Sequence, residues 1–201
     1  MKSNFDKCLA EVLRHEGGFV DHPRDPGGAT NKGITIGTFR QYRPGATVAQ
    51  LKAISDAEVA MIYRNGYWDA VRGDDLPSGL DLVAFDAAVN SGPRRGAQWL
   101  QRALGVADDG KIGPVTLSVA QASEPMSVIS RALDIRLAFL KSLSHWDAFG
   151  RGWSARVVSV RKVALQMASV SKQATPAPQV TTSPAGGILA AILQWLRSIF
   201  K

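Results

Sequence analysis

Apolar residues recur at helical spacing along most of this chain and form short β-favouring runs only near its start. Phe5, Leu9, Val12 and Leu13 lie three or four residues apart and predict a first helix. Ser3 or Asn4 can cap it, and Gly17-Gly18 supplies a stop, so it is expected to end near Glu16. Phe19-Val20 and Ile34-Thr35-Ile36 favour β structure and enclose a loop rich in Asp, Pro and Gly, which predicts a small hairpin or an irregular β-excursion. Beyond it the pattern is helical, over roughly 55–66, 78–91, 94–104, 114–122, 125–143 and 149–169. Pro77, Gly92-Pro93, Gly113-Pro114, Pro125 and Gly150-Arg151-Gly152 separate these segments. The fold class is therefore mainly α, with a small β-hairpin followed by further helices.

From Ser171 the composition turns to Ser, Thr, Gln, Ala and spaced prolines, which bury too little apolar surface to order themselves, so 171–185 is expected to be a flexible linker. The last segment, 186–201, is apolar again. Ile188, Leu189, Ile192, Leu193, Trp195, Leu196, Ile199 and Phe200 share one broad face, opposite Gln194, Arg197, Ser198 and Lys201. This predicts an amphipathic basic helix of ~22 Å. Spanning would need ~30 Å, so the segment is expected to lie on an anionic membrane surface, or to dock on protein.

With 201 residues, 45% hydrophobic and 20% charged, the chain can bury a sizeable core, which excludes disorder throughout. Its net charge of +7 is placed unevenly: no acidic residue follows Asp147, whereas Arg151, Arg156, Arg161, Lys162, Lys172, Arg197 and Lys201 do. Such a region is attracted to polyanions, be they bilayer, cell wall or nucleic acid. A Gly-rich phosphate loop, an RNA-binding motif and a zinc framework are all missing, which sets nucleic acid aside. The single cysteine, Cys8, sits in the apolar pattern of the first helix and is read as a small core residue. The polar start, Met1-Lys2-Ser3-Asn4, lacks a secretory apolar run, so synthesis without a signal peptide is expected.

Chemistry concentrates around Glu16. It follows Leu13 and Val12 by three and four residues, so it projects from the core-facing stripe, at a helix end whose dipole is negative. Poor hydration and the dipole both favour the protonated acid, as a proton donor requires. A plainer reading pairs Glu16 with Arg14, His15 or Arg24. Asp25 comes nine residues later, across the Gly-Gly break, where a fold-back sets two carboxyl groups on opposite sides of a cleft, the arrangement glycoside hydrolysis uses. Asp21 competes with Asp25 for that role, and Asp25-Pro26-Gly27-Gly28 is also good turn chemistry. Asp86 and Asn90, one helical turn apart on an apolar segment, need polar partners, either a glycan or the hairpin. Tyr67 and Trp68 suit sugar stacking or the core.

His15-Glu16-Gly17-Gly18-Phe19-Val20, followed by Asp25-Pro26-Gly27-Gly28-Ala29-Thr30-Asn31-Lys32-Gly33-Ile34-Thr35, resembles the signature of glycoside hydrolase family 108. Tyr67-Trp68, Asp75-Leu76-Pro77 and Phe85-Asp86-Ala87-Ala88-Val89-Asn90-Ser91-Gly92 continue the resemblance, which covers about the first 95 residues. It implies a lysozyme-like, mainly helical fold, with the hairpin near the active site and Glu16 as catalytic acid. The order Glu, Asp, Thr is also similar to phage-type lysozymes, with Thr30 one residue early, which leaves Thr30 and Thr35 both open as the hydroxyl that positions water or sugar. Trp99 to Val106 and Asp109 to Leu117 are similar to predicted peptidoglycan-binding domains; a plainer reading has them complete the enzyme's own core.

The resemblance thus implies an N-acetylmuramidase of the phage-endolysin kind that cleaves the β-1,4 bond of peptidoglycan glycan strands, and the chain is expected to act as a monomer. Glu16 and Asp25 are the expected catalytic residues, with Asp21 the alternative to Asp25, and Thr30, Thr35, Tyr67 and Asn90 are expected to bind substrate; no metal or organic cofactor is expected. Residues 1–93 are expected to be the catalytic domain and 94–170 a helical wall-binding domain. The protein is expected to reach the periplasmic wall by holin-type or membrane-mediated release. The alternative is a non-catalytic wall or membrane binder that retains the fold.

Overall fold

The structure, a computed structural model, describes residues 4–21 and 28–174. Its α-helices are α1 (Phe5–Leu13), α2 (Ile36–Tyr42), α3 (Val48–Lys52), α4 (Asp56–Tyr63), α5 (Leu80–Ser91), α6 (Pro93–Leu104), α7 (Pro114–Ala122), α8 (Pro125–Lys141) and α9 (Trp146–Ala174). Two short strands, β1 (Thr30–Asn31) and β2 (Ile34–Thr35), pair antiparallel, with Thr30 opposite Thr35 and Asn31 opposite Ile34. The fold is mainly α and lysozyme-like, with one small two-stranded sheet among the described residues.

Helix α5 is the axis of the molecule. Leu80 through Ala88 are all buried, because α1, α6, α8 and α9 pack around it. An all-round buried helix has no polar face, which is why its sequence reads as nearly continuous apolar residues. Gly96 brings α6 close: a Cβ there would stand 2.8 Å from the backbone nitrogen of Ala88. The core runs without interruption from Phe5 to Ala168 and crosses residue 93, with α6, α8 and α9 contributing Leu100, Leu133 and Val160 to the same cluster as Phe5 and Phe85. Trp68 is fully buried and meets both Phe5 and Phe85 edge-on, at 5.3 Å between ring centroids in each case.

Several local expectations are corrected. Asn4 occupies the N-cap position of α1 but makes no capping bond; its amide donates instead to Ser78 Oγ at 3.1 Å and Asp81 Oδ2 at 2.7 Å, fastening α1 to the start of α5. The first helix ends at Leu13, and the backbone N–H groups of Arg14, His15 and Glu16 continue it as a tightened turn, each donating three residues back. Neither Gly17 nor Gly18 takes the left-handed conformation of a helix-stopping glycine.

The hairpin arms are 30–31 and 34–35, and Val20 adds one bridge to Thr30. Ile36 belongs to α2, because Thr35 caps that helix by accepting from Thr38 N at 3.1 Å. Helices α2 and α3 escaped the hydrophobic pattern, since each buries a single side chain, Phe39 or Leu51. Ser171 to Ala174 continue α9 rather than opening the linker, because α9 carries its helical pattern on past Met167 and Ala168, both buried. The rest of that segment, the amphipathic segment 186–201, Arg24 and Asp25 lie outside the described residues. Among the described residues no helix is long and apolar enough to cross a membrane.

Candidate active site

Glu16 stands where the tightened end of α1 meets the hairpin and α9. The turn keeps its side chain on the inward side, where it is 18% exposed. Arg14 and His15 do not pair with it, for both turn to Glu11 on the previous turn of α1, at 3.3 and 3.4 Å. Its partner is Arg156, in the middle of α9, whose Nη1 donates to Glu16 Oε1 at 2.9 Å.

Arg156 is itself held from behind. Its Nε donates to Asp86 Oδ1 at 2.9 Å, and its Nη2 lies 2.8 Å from the same oxygen. Asp86 has no exposed surface, and its other oxygen takes a hydrogen bond from Arg136 on α8. Arg136 Nη2 then donates to Asn90 Oδ1 at 3.2 Å, one turn along α5 from Asp86. A continuous polar chain thus runs Glu16, Arg156, Asp86, Arg136, Asn90 through the interior. Burial alone would push Asp86 up, but the two guanidiniums overbalance it and hold the carboxyl below its usual range. Burial opposes the charge on Arg156 likewise, and Asp86, with Glu16, more than restores it.

The other oxygen of Glu16 faces the hairpin. Lys32 and Gly33 form its two-residue turn, both with positive φ, 49° and 74°, which is the type I′ geometry that suits two twisted strands. A Cβ on Gly33 would lie 2.8 Å from Glu16 Oε2, so glycine answers both the backbone conformation and the close approach. Tyr63, at the end of α4, fixes the turn by donating from Oη to the Lys32 carbonyl at 2.8 Å. Burial, followed by the negative charge of Glu16, pushes the Tyr63 phenol well above its ordinary range. Tyr67 is half-buried beside it, 5.6 Å between rings, and its phenol is raised by burial and then by Glu16.

Of the residues singled out in the sequence, the structure therefore brings Tyr67 within reach of the charge of Glu16 and joins Asn90 to Glu16 through the buried charges. Asn90 is exposed. Asp86 is wholly engaged by arginines, so its partners are neither glycan nor hairpin. Trp68 belongs to the core. Thr30 and Thr35 face one another across the hairpin with both hydroxyls in local use: Thr30 Oγ1 donates to the Gly28 carbonyl at 3.4 Å, and Thr35 Oγ1 caps α2. Asp21 is exposed, and Asp25 lies outside the described residues.

Arg156, Arg136, Tyr63 and Gly33 were not anticipated. Arg156 and Arg161 counted towards a basic surface, yet Arg156 faces inward and Arg161 pairs with Asp134 at 2.6 Å. The signal was a core-stripe position: Arg136 follows Ala132 by four residues and Leu133 by three, and precedes Leu140 by four, all of them buried.

The glycosyl hydrolase 108 family model matches residues 9–92. The structure of SagA from Brucella abortus resembles this one with a TM-score of 0.74 and 43% sequence identity, covering 84% of this chain and 97% of that chain. No curated protein matches the chain.

Proposed function

The chain belongs to the glycosyl hydrolase 108 family, and from that premise we propose that it cleaves the β-1,4 bond between N-acetylmuramic acid and N-acetylglucosamine, with Glu16 as proton donor. The observation that carries the reading is the two-sided setting of Glu16. Oε1 is held by Arg156, which leaves Oε2, beside Gly33, as the oxygen to deliver the donated proton. As that proton passes to the glycosidic oxygen, negative charge develops on Glu16, and the Arg156 guanidinium is already placed to stabilise it. The neighbour of Glu16 is thus a cation as well as a negative helix end. The site works by fixing the carboxyl and receiving its charge.

Asp25 is the second carboxylate in this reading, with Asp21 in reserve, to activate water or trap the sugar cation. Tyr67 borders the bound sugar, Asn90 and the hairpin threonines lie along the strand, and residues 94–170 hold the acid in place by delivering Arg136 and Arg156. An endolysin role, as a monomer acting on the periplasmic wall, fits this chemistry. The amphipathic segment 186–201 then meets anionic lipid, and unchanged co-sedimentation with liposomes after deletion of 185–201 would reject that part. Mass spectrometry of fragments released from purified sacculi tests the bond: muramic acid at the new reducing end is expected, and N-acetylglucosamine there would refute it.

A further inference from the structure

Helix α9 carries one continuous stripe from Trp146 to Met167. Trp146, Phe149, Trp153, Arg156, Val160, Ala164 and Met167 are spaced three or four apart and so share a face. From Val160 onward the stripe is aliphatic and buried. Arg156 marks the level of Glu16. Towards the N-terminus the same stripe turns aromatic as it leaves the core: Trp153 and Trp146 are partly buried, and Phe149 is 56% exposed. The rings lie close together, Phe149 to Trp153 at 5.7 Å and 30° between planes, Trp146 to Trp153 at 6.2 Å and 47°.

We propose that this aromatic shelf is a subsite for the glycan strand, with Phe149 and Trp153 as the surfaces on which sugar rings stack. The proposal rests on the reading of the chain as a peptidoglycan glycosidase. Three observations select a sugar as occupant. The shelf is continuous with the acid, because the helix face that presents Arg156 to Glu16 also presents the rings. It extends from Arg156 to Phe149 over about 10 Å of helix rise, the scale of a disaccharide. And the side chains change from aliphatic to aromatic at the point of emergence: flat ring faces pack against the C–H faces of sugars while the sugar hydroxyls stay with water, which branched aliphatic side chains do less well.

The test uses Glu16→Gln protein, which binds without cutting, and peptide-free glycan strands prepared from sacculi. Adding Phe149→Ala is expected to weaken binding roughly five- to tenfold, the scale of one lost aromatic contact, and Phe149→Trp to restore it. Val158→Ala, on the outward face of α9 and 65% exposed, is the control and should change nothing. Equal affinity for the Phe149→Ala protein overturns the proposal. So does a loss of sedimentation with phosphatidylglycerol vesicles and unaltered glycan binding, which would make the shelf a lipid surface. If the unsubstituted chain releases no reducing ends but binds strands through Phe149, the subsite stands and the hydrolase reading falls.

Discussion

Arg156 donates to Glu16 across 140 residues of sequence, from the long helix α9 to the turn that follows α1. The contact makes the candidate acid depend on packing between the two ends of the described chain. Replacing Arg156 by Lys keeps one positive charge but loses the fork that reaches Glu16 and Asp86 together. Turnover is expected to fall on the order of 10- to 100-fold with a smaller change in KM, because the acid is misplaced rather than the substrate lost. A KM rise at unchanged kcat, in steady-state assays on solubilised glycan strands, would contradict this.

Asp86 controls stability with a definite pH dependence. Its carboxyl is held below the usual range in the folded chain, so its contribution is complete above the unfolded carboxylate range and is lost as pH falls through the folded value. Asp86→Asn is expected to cost about 3–5 kcal/mol at neutral pH, since buried Arg136 loses its carboxylate partner and Arg156 keeps only that of Glu16. Melting temperatures of the variant should fall less steeply than those of the unsubstituted protein on acidification below pH ~4. Parallel curves would refute the assignment.

Much of this was legible beforehand, and the remainder was hidden for identifiable reasons. The helix expected at 114–122 is α7 to the residue, because Gly113-Pro114 and the apolar spacing agree. Glu16 was placed by its distance from Val12 and Leu13, and a tightened turn preserves that geometry. Asp86 and Asn90 announced a need for partners, but nothing local names arginines 50 and 70 residues away from Asp86. Counting charges along the chain treated Arg156 as surface, since pairing is a property of the fold. The hairpin was anticipated but its first arm was displaced, because Phe19-Val20 has β-favouring residues and yet Val20 contributes only a single bridge.

Gly33 and Gly45 form a matched pair for testing the hairpin. Both have positive φ, 74° and 76°, but only at Gly33 would a Cβ meet Glu16; at Gly45 nothing lies within 4 Å. Gly45→Ala should cost about 1–2 kcal/mol in chemical denaturation from backbone strain, and Gly33→Ala more, because its Cβ would also stand 2.5 Å from Tyr63 Oη. Activity under conditions where both variants remain folded should drop sharply for Gly33→Ala and stay near normal for Gly45→Ala. Equal activities would mean that the hairpin turn does not shape the site.

Tyr63→Phe removes the hydrogen bond to the Lys32 carbonyl and leaves the ring in place. A stability loss of about 1 kcal/mol is expected, together with a looser turn and faster amide exchange at Asn31 to Ile34. Exchange rates unaltered at those four positions would show that the phenol does not hold the turn.

The most direct measurement is reducing-end release from purified sacculi by the Glu16→Gln protein beside the unsubstituted chain. Glutamine retains an oxygen for Arg156 but carries no transferable proton, so the fold should persist, by circular dichroism, while the rate falls at least about a hundredfold. A folded Glu16→Gln protein that releases reducing ends at a near-normal rate would contradict the account.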